Sequence, residues 1–243
     1  MKKLLLYALF SFIGILKANE WQDKHFEGID YKGEKMKILI IGANGSVAKE
    51  VTNGILKGLE NVNLRLFLRS SSRLQNVKNA NPNRVELFEG DATDKEALKT
   101  AMQGVDVVYA NLDGNLPKMA EAIIKAMNET RLKRLIWISS YGIYQDKYKE
   151  IPNRNLGEIS SALKPYVNSA KLIENSNLDY TIIRPQWFSN ANEIDYELTS
   201  KGEAFKNPNA LISRKSIAHL VIRLCLEKDF GLRQSLGINK PER

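Results

Sequence analysis

The sequence predicts an α/β fold: one domain on a doubly wound, parallel sheet. Three observations predict it. From Met36 onward, short apolar runs of strand length alternate with segments whose apolar residues recur at helical spacing. The first run is followed at once by a glycine turn, Gly42-Ala43-Asn44-Gly45, and then by helical periodicity. Finally, 243 residues with 43% hydrophobic and 26% charged content suffice for a full core without covalent or metal staples.

The elements follow in order. Residues 37–41 (KILII) form a continuous apolar run, the mark of a strand buried on both faces. Val47, Val51, Ile55, Leu56 and Leu59 then recur on one helix face. Residues 64–68 (LRLFL) read as the second strand and 84–88 (RVELF) as the third. A short helix over 95–102 leads to a fourth strand at 106–110 (DVVYA). Leu116, Ala120, Ile123, Ile124 and Met127 mark the next helix, and 135–139 (LIWIS) the fifth strand. Residues 166–175 are helical, and 180–183 (YTII) is a sixth strand stopped by Pro185. A last helix over 214–227 carries His219 and Cys225, both read as core residues. Strands separated by helices need crossover connections, and these give a parallel sheet covered on both faces.

Composition narrows the chemistry. Cys225 is the single cysteine, so no internal disulfide is possible. Two histidines (His25, His219) and one cysteine cannot build a usual structural zinc site, so no metal is expected. Reactivity must come from hydroxyls, carboxylates, amines or a borrowed cofactor. The net charge of +8 arises from 36 basic and 28 acidic residues without a run of four Lys or Arg. With no helix-turn-helix signal or basic face, nucleic acid is not an expected partner. The scattered excess suits phosphorylated small molecules instead.

The first 35 residues stand apart. Lys2 and Lys3 precede an apolar run over 4–16, and a small residue, Ala18, follows it. The run is shorter than the ~20 apolar residues of a membrane span, so no stable span is expected. The pattern resembles a secretory signal over 1–18, followed by a polar linker over 19–35. A membrane tether is the alternative. A third reading takes Met36 as the start, because Lys32-Gly33-Glu34-Lys35 can be encoded by a purine-rich, ribosome-binding-like run; residues 1–35 are then an over-extended gene model. The domain proper is 36–243. The cytoplasm is the expected compartment, with export or tethering through 1–18 as the alternative.

The glycine turn lies between a strand and a helix. Gly42 permits the tight turn, Gly45 leaves room for a pyrophosphate, and Ala48 allows close helix–strand packing. The helix amino end then offers free N–H groups and a positive dipole end to phosphate. Gly42, Asn44, Gly45, Ser46 and Val47 are therefore the candidate phosphate cradle of a Rossmann-type dinucleotide site. After the second strand the chain reads Leu68-Arg69-Ser70-Ser71-Ser72-Arg73, with no carboxylate to bind a ribose 2′-hydroxyl. Arg69 and Arg73 can instead grip a 2′-phosphate, which favours NADP(H).

From Met36 to about Glu227 the chain resembles the NAD(P)H-binding, NmrA-like branch of the atypical short-chain dehydrogenase/reductase family. The segments IGANGSVA, LRSSSRL, ELFEGDATD, GVDVVYANLDG, RLIWISSYGIY, LDYTIIRPQW and LISRKSIAHL carry the likeness. It is also similar to the flavin reductase/biliverdin reductase B group, above all over LRSSSRL. The resemblance implies that Asp91 and Ala92 flank the adenine and that Asn111 and Leu112 line the cofactor. It places Ser139, Ser140 and Tyr141 near the nicotinamide, with Pro185 and Gln186 closing its far side.

Typical members of the wider family carry a Tyr and, four residues later, a Lys whose ammonium lowers the phenol pKa. Here Lys171 follows Tyr166 by five residues, about 140° round a helix instead of about 40°. The register departs from that relay. Tyr166 with Lys171, Tyr141, or water delivering the proton to a flavin or quinone all stay open. The expected function is an NADPH-dependent oxidoreductase with a small carbonyl, quinone or flavin-like acceptor. The alternative is a non-catalytic NADP(H)-binding sensor. Segments 145–163 and 187–205 are the candidate pocket loops, and a monomer or weak homodimer is expected.

Overall fold

Apolar strands buried on both faces require a neighbour on each edge and a helix layer above and below. A computed structural model, which describes residues 29, 31–145, 149, 151 and 159–242, satisfies that requirement. In chain order the first half runs β1 (Met36–Ile41), α1 (Ser46–Gly58), β2 (Val62–Leu68), a 3₁₀ turn (Ser71–Leu74), α2 (Gln75–Ala80), β3 (Val85–Glu89), α3 (Lys95–Ala101), β4 (Val107–Ala110) and α4 (Leu116–Thr130). Then follow β5 (Arg134–Ile138), α5 (Lys164–Glu174), β6 (Asp179–Pro185), β7 (Phe188–Ser189) and β8 (Glu197–Thr199). The chain ends with β9 (Ile212–Ser213), α6 (Arg214–Leu226) and β10 (Gln234–Asn239).

The main sheet has the order β3-β2-β1-β4-β5-β6-β10-β8 and is parallel except for the β10–β8 pair. β7 and β9 form a separate two-stranded parallel sheet. The strand order reverses between β1 and β4, so the crevice outside their carboxyl ends is the expected ligand site. Alternation along β1 assigns the faces. Ile38 and Ile40 pack with Val51 and Ile55 of α1 and with Leu220 and Leu224 of α6. Leu39 and Ile41 pack with Leu98 of α3, Ile123 of α4 and Ile173 of α5.

The six strands read from the sequence are present, with β6 running on to Pro185, and α5 begins two residues before Tyr166. The sequence reading passed over β7, β8, β9 and β10. β10 offers only Leu236 and Ile238 as large apolar residues, and Gly237 lies between them. That glycine is required by packing: a Cβ there would lie 2.2 Å from Thr199 Oγ1 and 2.3 Å from the Phe205 ring.

Residues 1–28 and 30, and with them the signal-like segment, lie outside the described residues. Of the 19–35 stretch, Ile29 and Tyr31 pack against the α1/α6 core. Glu34 pairs with Lys228 at 2.6 Å, and Asn61 Nδ2 donates to Gly33 O at 2.8 Å.

One arginine ties α1 into the sheet. Arg84, just before β3, donates to the carbonyls of Leu56 and Val62, both at 3.0 Å, and to those of Ile55 and Leu59. A cation on the last carbonyls of a helix satisfies acceptors that have no intrahelical partner and complements the dipole. Arg84→Ala should destabilise the fold by about 2 kcal/mol, lowering the melting temperature by roughly 4–8 °C. A thermal scan with an unchanged midpoint would show that water replaces those bonds at no cost.

Candidate functional site

The site begins where β1 runs into its turn. Gly42 adopts φ +79°, and the N–H groups of Gly42 and Ala43 donate to Phe67 O at 3.0 and 3.3 Å, anchoring the turn on β2. Gly45 N–H closes it onto Gly42 O at 3.0 Å. A Cβ on Gly42 would sit 2.1 Å from Asn111 O, and one on Gly45 2.0 Å from Asn111 Nδ2. The sequence reading left Gly45 bare for a pyrophosphate; in the fold the Asn111 amide already requires it to be bare. Tyr109, fully buried on β4, donates to Asn111 Oδ1 at 3.2 Å and so orients that amide.

Gly45 caps α1 without a side-chain hydrogen bond, and the first turn carries no acidic residue. The N–H groups of Ser46, Val47 and Ala48 thus lack intrahelical acceptors and are available to an anion. Val47 and Ala48 are buried, so they can offer backbone only.

A cavity of about 780 Å³ extends from this turn along the carboxyl ends of β1 to β4. Gly42, Asn44, Gly45, Arg69, Arg73, Asp91, Ala92, Asn111 and Leu112 all line it, so the structure brings these candidates together. The volume lies within the range of small-molecule sites. Two glycines at close approaches, a helix amino end and two arginines fit a phosphorylated dinucleotide.

Arg69 and Arg73 are exposed. Their loop is held by a residue the sequence reading missed: Glu89 Oε2 accepts from both the N–H and the hydroxyl of Ser71, each at 2.8 Å. Those bonds hold the Glu89 carboxyl below its usual range, so it stays ionised while engaged. The signal lies in the β2–β3 register, which sets Leu68 opposite Glu89, and not in any local spacing. Asp91 is likewise engaged. Its Oδ1 accepts from Thr93 Oγ1 at 2.7 Å and Thr93 N at 2.8 Å, which lowers its pKa, with a further contribution from Arg69.

The candidates for the nicotinamide end lie outside that cavity lining. Ser139 is 5% exposed, and its Oγ has no hydrogen-bond partner among the described residues. Ser140 Oγ donates to Tyr141 O at 3.2 Å. Tyr141 stacks on Phe205, centroids 6.0 Å apart, and meets the edge of Trp187 at 6.3 Å. Trp187 itself is 70% exposed. Pro185 ends β6 opposite Ile238 of β10. The buried Gln186 side chain donates to Asn207 O and accepts from Lys240 N at 3.0 Å. The 145–163 loop falls largely outside the described residues.

Tyr166 is half-buried on α5, whereas Lys171 is exposed. Burial and then the Asp113 carboxylate push the Tyr166 phenol above its ordinary pKa, the opposite of what an adjacent ammonium would do. His219 Nδ1 shares a 2.8 Å hydrogen bond with the Tyr196 hydroxyl. Cys225 is buried, and that burial pushes its thiol up to about 12.

Adding a methyl at Gly45 forces Asn111 aside, so Gly45→Ala should cost about 1–3 kcal/mol. Removing the obstacle in the Gly45→Ala/Asn111→Gly double variant should recover part of that loss in a denaturant titration. An additive double variant would place the obstacle elsewhere.

A family model described as NAD(P)H-binding matches residues 42–228. A Rossmann-fold NAD(P)-binding family protein from Shigella flexneri is 36% identical, with a TM-score of 0.72 over 86% of this chain and 95% of that one. A wide-type short-chain dehydrogenase/reductase from Veillonella parvula, solved in complex with NADP, is 25% identical, with a TM-score of 0.73 over 85% of this chain and 95% of that one. An isoflavone reductase from Pisum sativum is 25% identical over 162 residues, 60% of this chain and 49% of the relative. The chain spans about half the length of the curated relatives it matches, 46% and 49% for the first two. Family match, strand order and bare glycine turn agree: the chain belongs to the NAD(P)H-binding family, of the atypical short-chain dehydrogenase/reductase type.

Proposed function

We propose that this protein is an NADPH-dependent oxidoreductase that reduces a small carbonyl, quinone or flavin-like acceptor. The observation that carries the reading is the cradle at the β1–β4 switch point, with the exposed Arg69 and Arg73 on its rim. Exposed guanidinium groups that form no salt bridge among the described residues suit a 2′-phosphate, the group that distinguishes NADPH from NADH. The relatives support it: the Veillonella parvula protein was solved with NADP, and the pea protein is an isoflavone reductase.

When bound, the cofactor supplies a hydride. The chain supplies the rest. The α1 amino end holds the diphosphate, and Arg69 and Arg73 hold the 2′-phosphate. Tyr141 and the exposed Trp187 offer an aromatic wall on which a planar acceptor can stack. Tyr166 keeps its proton at neutral pH, so it can donate a hydrogen bond or a proton but is not activated as a relay. A quinone or flavin can take its proton from water. The reading sets the protein in the cytoplasm, where NADPH is kept reduced, with 36–243 as the working domain.

The exposed Lys171, and a carboxylate rather than an ammonium beside Tyr166, favour a second reading, a sensor that binds NADP(H) without turning it over. Turnover separates the two: consumption of NADPH in a panel of flavins, quinones and small carbonyls establishes the enzyme, and binding without consumption the sensor. NADPH should bind at least tenfold tighter than NADH, about 1.4 kcal/mol, and Arg69→Ala/Arg73→Ala should erase the difference while leaving NADH affinity nearly unchanged. Equal affinities in the parent protein would remove the basis for the NADPH assignment. Tyr166→Phe should slow carbonyl reduction about 10²–10⁴-fold and barely affect quinones or flavins. An unchanged carbonyl rate would pass the donor role to Tyr141 or water.

A further inference from the structure

A third arginine reaches the cradle from the far end of the chain. Arg214, the first residue of α6, donates from Nε to Ser46 Oγ at 3.0 Å, across 168 positions of sequence. Its Nη1 donates to Ser189 O at 3.2 Å and Asn190 Oδ1 at 2.8 Å, and its guanidinium lies 5.3 Å from the Phe188 ring centroid. Every one of these partners is neutral. Elsewhere in the fold arginines are neutralised: Arg65 by Glu86 at 2.6 Å and Arg223 by Glu227 at 2.8 Å. Arg214 pairs with no carboxylate among the described residues, and its Nη2 makes no hydrogen bond among them.

The placement is electrostatically unfavourable for the protein alone. Arg214 lies at the amino end of its own helix and touches the first residue of α1, and neither helix has an acidic residue in its first turn. A cation at a helix amino end opposes the dipole, and here two such ends and one guanidinium come together. An anion would relieve all three at once. The adjoining Gly45 lines the dinucleotide cavity, so that anion has a source.

We infer that Arg214 binds the diphosphate of the dinucleotide, using the nitrogen its neutral anchors leave free; this rests on the NADPH reading above. Ser189 and Asn190 hold the guanidinium in place, so the contact also fastens the β7 segment, next to Trp187, to the amino end of α1. Cofactor occupancy and the position of the aromatic wall are thereby linked through one side chain.

Isothermal titration of the full chain with two probes tests this: NADPH, and adenosine 2′-monophosphate, which keeps the 2′-phosphate and lacks the diphosphate. Arg214→Ala and Arg214→Gln should each weaken NADPH binding about ten- to a hundredfold and leave the monophosphate within about twofold. Gln keeps a donor for Ser46 but not the charge, so a merely structural tie predicts that it binds NADPH like the parent. The salt dependence of NADPH binding should also flatten in both variants. Unchanged NADPH affinity, or equal loss of both probes, overturns the role of Arg214 and leaves the NADPH reading standing. A parent protein that binds no NADPH overturns both.

Discussion

A Cβ on Gly42 would fall 2.1 Å from the Asn111 carbonyl oxygen, so the turn after β1 and the end of β4 can meet only because Gly42 is bare, and one on Gly45 would fall 2.0 Å from the Asn111 side-chain amide and push it aside. The rest of the crevice depends on that approach. β1 lies between β2 and β4, and its turn is fastened on one side by Phe67 O and met on the other by Asn111. Tyr109, buried beneath, aims the Asn111 amide. The result is a rigid seam at the point where strand order reverses, with the α1 amino end opening directly above it. Preorganised backbone donors of this kind lose little entropy on binding a phosphate.

The arginines divide by what faces them. Arg84 and Arg134 are turned inward and satisfied by backbone carbonyls: Arg84 closes α1, and Arg134 reaches Leu224 O at 3.1 Å and Phe230 O at 2.9 Å at the end of α6. Arg65 and Arg223 pair with glutamates on the surface. Arg69 and Arg73 line the crevice and Arg214 bonds Ser46 next to it; none of the three forms a salt bridge among the described residues, and Asp91 feels the charge of Arg69 only through space. The net charge of +8 therefore says little by itself. What matters is where the cations sit: Arg69 and Arg73 line the crevice without a salt bridge among the described residues, beside the carboxylates of Asp91 and Asp113, and exposed guanidinium groups in a cleft favour an anionic ligand.

The face proposed for the acceptor is built differently. Tyr141 and the exposed Trp187 meet edge to face over the buried Phe205, and burial and Asp113 raise the Tyr166 phenol above its ordinary pKa. Such a surface recognises a ring by stacking more readily than it activates a carbonyl by acid catalysis. That asymmetry, arginines and free helix N–H groups on one side and a phenol of raised pKa on the other, suits the proposed chemistry, in which the cofactor does the difficult step.

Strand and helix identity was legible in consecutive residues because periods of 2 and 3.6 are local properties, and the glycine turn was legible because its three requirements fall within seven positions. The absent lysine at the fourth position after Tyr166 was equally plain. Sheet order and register were not, and most of the finer detail follows from them. The Glu89–Ser71 bond needs β2 beside β3, the bare Gly45 needs β4 beside β1, and the Arg214–Ser46 contact needs α6 packed on α1. β10 stayed hidden because two apolar residues around a glycine carry no period; the strand exists because β6, β8 and Phe205 close around it. The sequence by itself determined the layers and the glycine turn, since these depend on neighbours along the chain. Which charges and rings surround that turn was decided only by the tertiary structure, because residues as much as 168 positions apart meet there through packing that no local pattern encodes.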